Sequence, residues 1–249
     1  MADQPVVELH GVRKTFDRNE VLRGVSLGLS KGTTLAVMGG SGAGKTVLLR
    51  LCAGLIYPDA GEIRLFGQNL DRLREEAMLP LRRRTGFVFQ GAALFDSLSV
   101  FENVAYPLRE HTSRSEGEIT DRVHRFLSLV GLPGTDSLLP AELSGGMKKR
   151  VGIARALVFE PEVVFFDEPT AGLDPTNARL VGELIAELRS GVCDTAIVVT
   201  HDVEFAGMVA DQMAILHDGR FVAMGTPAEI HGSAVPAVQA FLAGELRGN

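Results

Sequence analysis

Apolar positions fall into two regimes along this chain. In the first third they come in short runs. Residues 6–16 and 21–29 read as strands around a polar turn at Asp17-Arg18-Asn19, and 34–38 is a short, wholly apolar strand. Residues 47–55 predict an apolar helix, 61–67 a strand bounded by glycine at both ends, and 85–90, rich in Phe and Val, another strand. The pattern then turns helical. Residues 99–109 and 116–130 predict helices, the second with Val123, Phe126, Leu127 and Val130 at helical spacing. Ser144 is placed as the N-cap of a helix running to about Phe159. Beyond it, strands at Val163, 195–200, 212–216 and 221–224 alternate with helices from about Pro175, from Val203 and over 236–245.

Strands alternating with helices imply a largely parallel sheet in a three-layer α/β core. The helical block over about 91–160 interrupts that alternation and reads as a subdomain inserted into one domain covering 5–245. At 249 residues and 45% apolar, the chain is long enough for a full core. The net charge of −6 argues against a nucleic-acid-binding surface, which shows as a basic balance. The two cysteines, Cys52 and Cys193, lack metal-ligand spacing and fit a reducing compartment. The first residues, Met1-Ala2-Asp3-Gln4-Pro5, carry no charged and apolar regions of a signal peptide. No apolar run approaches the roughly 18 residues of a membrane span, so work at a membrane would need another chain.

The chemistry is concentrated in three segments. Gly39-Gly40-Ser41-Gly42-Ala43-Gly44-Lys45-Thr46 follows a predicted strand and opens a predicted helix, the context a phosphate-binding loop requires. Its glycines let backbone N–H groups wrap phosphates, Lys45 neutralises phosphate oxygens, and the Thr46 hydroxyl can ligate Mg²⁺. Asp167 and Glu168 end the apolar run Val163-Val164-Phe165-Phe166, where the loops of a parallel sheet gather ligands. An aspartate there suits the Mg²⁺ shell, and the adjacent glutamate can orient and polarise an attacking water. Between the two lies Leu143-Ser144-Gly145-Gly146-Met147. The glycines permit close backbone approach, and the Ser144 hydroxyl sits at a helix N-terminus, where anions are favoured.

With these three segments in this order, the chain resembles the ATP-binding subunits of ABC transporters over nearly its whole length. The resemblance implies a P-loop NTPase core of RecA type, an ABC-type antiparallel β subdomain and an inserted α-helical subdomain. It implies ATP hydrolysis with ATP and Mg²⁺ as ligands. Glu168, His201 and Gln90 match the catalytic positions, His201 touching the γ-phosphate. Thr46, Gln90 and Asp167 match the metal positions. Phe16 matches the aromatic that stacks on adenine, and Asp174 the segment crossing a dimer interface. Ser144, Gly145 and Gly146 match the surface that closes on ATP held by a second copy, head to tail. Met147 departs from the pattern, which usually has Gln there.

Leu143-Ser144-Gly145-Gly146-Met147, together with the run from Phe89-Gln90-Gly91 through Phe101-Glu102-Asn103-Val104, resembles one branch of that family, the ATPases of Mla (maintenance of lipid asymmetry) transporters. That likeness implies phospholipid trafficking between inner and outer membranes. It implies a transmembrane permease, an MCE-domain lipid-binding protein and a small STAS-domain protein as partners, no nucleic acid, and a place on the cytoplasmic face of the inner membrane. Some of Leu94, Phe95, Leu98 and Phe101 are expected to line a groove for a short permease helix; the alternative is that all four are core. The basic runs Arg82-Arg83-Arg84 and Lys148-Lys149-Arg150 read as solvated helix faces. Val235, Val238, Phe241 and Leu242 fall near one face of the last helix, either docked on the core or facing a partner. An importer or exporter of another substrate, a soluble ABC ATPase acting on DNA or ribosomes, and a nucleotide-binding regulator without turnover are the alternatives. Glu168 and His201 argue against the last.

Overall fold

The computed structural model describes residues 5–244, the side chains of Arg72 and Ser190 excepted. Strands β1 (Val7–Phe16) and β2 (Asn19–Leu29) form a hairpin whose two-residue turn, Asp17-Arg18, has positive φ at both positions. That is the mirror-image turn matching the right-handed twist of paired strands. It explains why Asn19, expected in the turn, begins β2 instead. Strand β3 (Thr34–Met38) runs into the phosphate loop, and α1 (Lys45–Cys52) follows at once. The helix starts two residues before the predicted boundary because Gly44, left-handed at φ 99°, caps it directly. Strands β4 (Ala60–Leu65) and β5 (Gln68–Asn69) come next, then α2 (Glu75–Arg83), β6 (Thr85–Val88), α3 (Val100–His111), α4 (Glu116–Leu129) and α5 (Gly145–Leu157). The chain continues through β7 (Val163–Asp167), α6 (Pro175–Gly191), β8 (Ala196–Thr200), α7 (Val203–Val209), β9 (Gln212–His217), β10 (Arg220–Gly225), α8 (Pro227–His231) and α9 (Pro236–Leu242). The predicted end of the last helix, Glu245, lies outside the described residues.

Two sheets result. The antiparallel one has the order β2-β1-β4-β5; the mixed one has β10-β9-β3-β8-β7-β6, parallel except for β10 against β9. Every residue of β3, β7 and β8 is buried, so both faces of that sheet must be covered. Alternation along β7 shows how. Val163 and Phe165 join a core with Leu48, Leu49 and Leu51 of α1 and with β1, β2 and β4, so α1 lies between the two sheets. Val164 and Phe166 point to the other face, into a core with α3, α4, α5 and α6. The helical block therefore shares its core with the sheet. A third cluster seats Val238 and Phe241 of α9 on Met38, Met213 and Ile215, so the last helix docks on this chain's own core.

Helices α3 and α4 open on Ser99 and Ser115, each paired with a glutamate three residues on in reciprocal capping hydrogen bonds. Ser144 caps α5 as expected, its Oγ accepting from Met147 N at 3.2 Å. Among the described residues no helix is long and apolar enough to cross a membrane.

Candidate active site

The phosphate loop leaves β3 in the middle of the mixed sheet and lines a cleft of about 720 Å³ with Val21, Gln90, Glu168, His201 and Phe241. Glycine is required at both ends of the loop. A Cβ on Gly39 would lie 2.3 Å from the Leu216 carbonyl, and one on Gly44 3.0 Å from Val21 and Leu22. No side chain caps α1, which leaves the N–H groups of its first turn available to an anion. Lys45 is buried, donates to the Gly39 and Gly40 carbonyls at 2.9 and 3.1 Å, and lies 3.5 Å from Glu168 Oε1.

Glu168, one residue beyond β7, lines the same cleft, and Asp167, the last residue of that strand, adjoins it through Thr46. Thr46 donates its hydroxyl to Asp167 Oδ1 at 2.8 Å. Burial raises the Asp167 carboxyl above the usual carboxylate range, opposed by the Thr46 bond and by the positive charges of Arg50 and Lys45. Glu168 is buried at φ 47°, a left-handed conformation rare for a glutamate and held here by its neighbours. Its Oε2 lies 2.9 Å from His201 Nδ1, a contact that puts a proton on Nδ1 when the carboxylate is ionised. The structure thus brings together Lys45, Thr46, Asp167, Glu168, His201 and Gln90. Phe16 stands at the tip of the β1–β2 hairpin, 44% exposed, with the Lys14 ammonium 5.2 Å from its ring centre. It is not a core phenylalanine.

Ser144, Gly145, Gly146 and Asp174 do not line this cleft; they form a separate surface where α5 and α6 begin. Asp174 caps α6, accepting from Asn177 N at 3.1 Å and Asn177 Nδ2 at 2.6 Å. A Cβ on Gly146 would come within 2.7 Å of Asn177 Oδ1, so Gly146 allows the two helix starts to meet. A phosphate loop on one surface and an anion-favouring helix start on another are what a head-to-tail pair of copies would bring into register.

The sequence pattern of the ABC transporter family matches residues 22–171. The chain is 41% identical to the Escherichia coli intermembrane phospholipid transport system ATP-binding protein MlaF, over 96% of this chain and 89% of that protein. It is 37% identical to a probable ribonucleotide transport ATP-binding protein, mkl, of Mycobacterium leprae, over 97% of this chain and 70% of that one. It superposes with a TM-score of 0.81 and 30% identity on the ATP-binding cassette MJ0796, solved as a dimer in a post-hydrolysis state with ADP and Pi, covering 89% of this chain and 98% of that one. The chain belongs to the ABC transporter family. It is an ATP-binding, ATP-hydrolysing subunit of an ABC transporter, and cassettes of this kind form dimers.

ABC ATPases work with Mg²⁺, and the residues present fit that ion. Thr46 Oγ1 and Asp167 Oδ1 are hard oxygen donors held together at the phosphate end of the cleft. Among the described residues no three His, Cys, Asp or Glu form a metal cage.

The sequence reading missed Lys149. It is not solvated but buried, donating to the carbonyls of Gln90 and Glu168, the latter at 3.2 Å. Arg150 donates to the Val130 and Gly131 carbonyls. The departure at Met147 also has a physical reading: the side chain is half-buried and packs against the helical core, while its N–H serves the Ser144 cap. Met147→Gln should therefore keep ATP turnover within about tenfold, roughly 1.4 kcal/mol of barrier, in a phosphate-release assay. A larger fall would show a specific use of this side chain.

Proposed function

We propose that the chain powers phospholipid movement between the two membranes of an envelope, from the cytoplasmic face of the inner membrane. The observation that carries this reading is the 41% identity to MlaF, spread over 96% of the chain rather than confined to the nucleotide motifs. Its partners in this reading are a second copy, a membrane permease, an MCE-domain lipid-binding protein and a small STAS-domain protein. Lys45 and the loop amides bind the β- and γ-phosphates, and Phe16 offers a ring face to the base. Thr46, Asp167 and Gln90 would hold Mg²⁺, which supplies neutralising charge to the phosphates when bound. Glu168 orients and polarises the attacking water, and His201 holds the Glu168 carboxylate through Nδ1. Ser144, Gly145, Gly146 and Asp174 close on ATP bound to the other copy. ATP favours the closed dimer because it touches both copies, and hydrolysis removes that preference.

A groove of about 480 Å³ between α2, β6, α3 and α5 supports a permease contact. Its apolar wall includes Leu79, Phe87, Phe89, Phe95, Tyr106 and Phe159. Of the four candidates for it, Phe95 lines the groove, 44% exposed with its ring 4.9 Å from Tyr106. Leu94 and Phe101, partly buried, pack against the helical core. Phe95→Asp should leave the isolated subunit's melting temperature and ATP affinity near wild type and prevent assembly with the permease. A variant that assembles and transports normally would remove the docking role.

The likeness to the mycobacterial protein favours a second reading, ribonucleotide transport. Purification of the complex from detergent-solubilised membranes, with identification of partner chains and bound lipid, separates the two. A complex that carries no phospholipid and moves ribonucleotides in vesicles would overturn the first.

A further inference from the structure

Two lysines are buried among the described residues. One is Lys45 in the phosphate loop; the other is Lys149, 6% exposed on the second turn of α5. Burying an ammonium is costly unless it is satisfied, and Lys149 is satisfied by backbone. Its Nζ bridges the carbonyls of Gln90 and Glu168, which stand just beyond the ends of the adjacent parallel strands β6 and β7. Burial pushes the ammonium below the usual lysine range, opposed by the charges of Glu168 and Asp167.

The same helix face continues the contact. A Cβ on Gly152 would lie 3.3 Å from Ala92 Cβ, so glycine there lets the Gln90 segment lie against α5. Arg155 donates to the Ala92 and Ala93 carbonyls at 2.7 and 2.8 Å. Ala92, Ala93 and Glu168 all have positive φ, at 61°, 48° and 47°. Such conformations persist in non-glycine residues only where the surroundings hold them. Residues 149, 152 and 155, three apart on one helix face, hold the backbone of both segments.

We propose that Lys149 is a positioning residue for hydrolysis. Through the two carbonyls it fixes the Glu168 carboxylate and Gln90 relative to the helix that Ser144 caps, and it acts on the chemical step rather than on ATP binding. The inference rests on the assignment of Glu168 to the attacking water.

The test uses the full-length chain with ATP and Mg²⁺. Lys149→Met, which keeps the apolar stem and removes the donors, should lower kcat by about 10–100-fold with KM for ATP changed by less than about threefold. Lys149→Gln, whose amide can still donate to carbonyls, should recover kcat to within about threefold of wild type. In a Glu168→Gln background, Lys149→Met should lower the residual rate by less than about twofold, because both act on one step. Should Lys149→Met not fold, Lys149→Ala decides. Its side chain has no donor for either carbonyl, so kcat should fall at least about fivefold with KM for ATP unchanged, and a wild-type kcat overturns the proposal. A Lys149→Met protein with wild-type kcat, or equal losses of kcat and melting temperature in the Met and Gln variants, overturns it too. Near-normal turnover in Glu168→Gln alone would instead remove the assignment beneath it.

Discussion

Glu168→Gln should lower ATP turnover by about 10²–10⁴-fold while ATP still binds, the loss typical of removing a positioned general base. The geometry concentrates this effect in one carboxylate. Oε1 faces the Lys45 ammonium at 3.5 Å and Oε2 faces His201 Nδ1 at 2.9 Å, so the group is held from two sides at the mouth of the cleft. An amide has nearly the same shape and retains one oxygen for hydrogen bonding. It cannot accept a proton from water. The lysine, the loop amides and the α1 N-terminus remain in place, so ATP binding and closure of the two copies should survive. The expected product is a dimer that accumulates with ATP and Mg²⁺ and does not revert. Phosphate release and light scattering on the same sample check both halves. Hydrolysis within a few-fold of wild type would show that another group activates the water.

Much of this site was readable because its parts are local. The phosphate loop, the acidic pair after an apolar strand and the Ser144 cap each declare themselves within a few residues. The positions missed depend on distant neighbours or weak local patterns. Helix α2 was not anticipated, since it carries Pro80 and buries only Met78 and Leu81, too little to show a helical period. Helix α8 has five residues, although Thr226, Pro227 and Glu229 form a capping box and an N1 proline that signal its start. Lys149 was misread because Lys148-Lys149-Arg150 is a charge run in sequence. What distinguishes it is its place on the face of α5 that also carries Gly152 and Arg155, against a segment some 60 residues away in sequence. A glycine one turn beyond a lysine on a helix was the available signal. Phe95 and Leu94 show the same limit: they are adjacent apolar residues, one lining a groove and one packed against the core, and nothing in the local pattern tells them apart.

Lys45→Ala should weaken ATP affinity by about 10–150-fold, the range expected when a charge-assisted hydrogen bond worth about 1.5–3 kcal/mol is removed. The ammonium is held by the Gly39 and Gly40 carbonyls and by Glu168. Its partners are thus the loop that would wrap the phosphates and the carboxylate proposed to orient the water. The loop amides and the α1 N-terminus supply only partial positive charge, and they cannot replace a full cation beside the β- and γ-phosphates. Truncation also strips Glu168 of one of its two contacts, leaving His201 to hold it. Two losses should therefore appear together: weaker binding, and slower turnover even at saturating ATP. Calorimetric titration of the Glu168→Gln and Lys45→Ala/Glu168→Gln proteins, in which hydrolysis does not interfere, isolates the first. Steady-state rates of Lys45→Ala at high ATP isolate the second. Equal ATP affinity in the two titrated proteins would mean that Lys45 braces the loop and contributes nothing to phosphate capture.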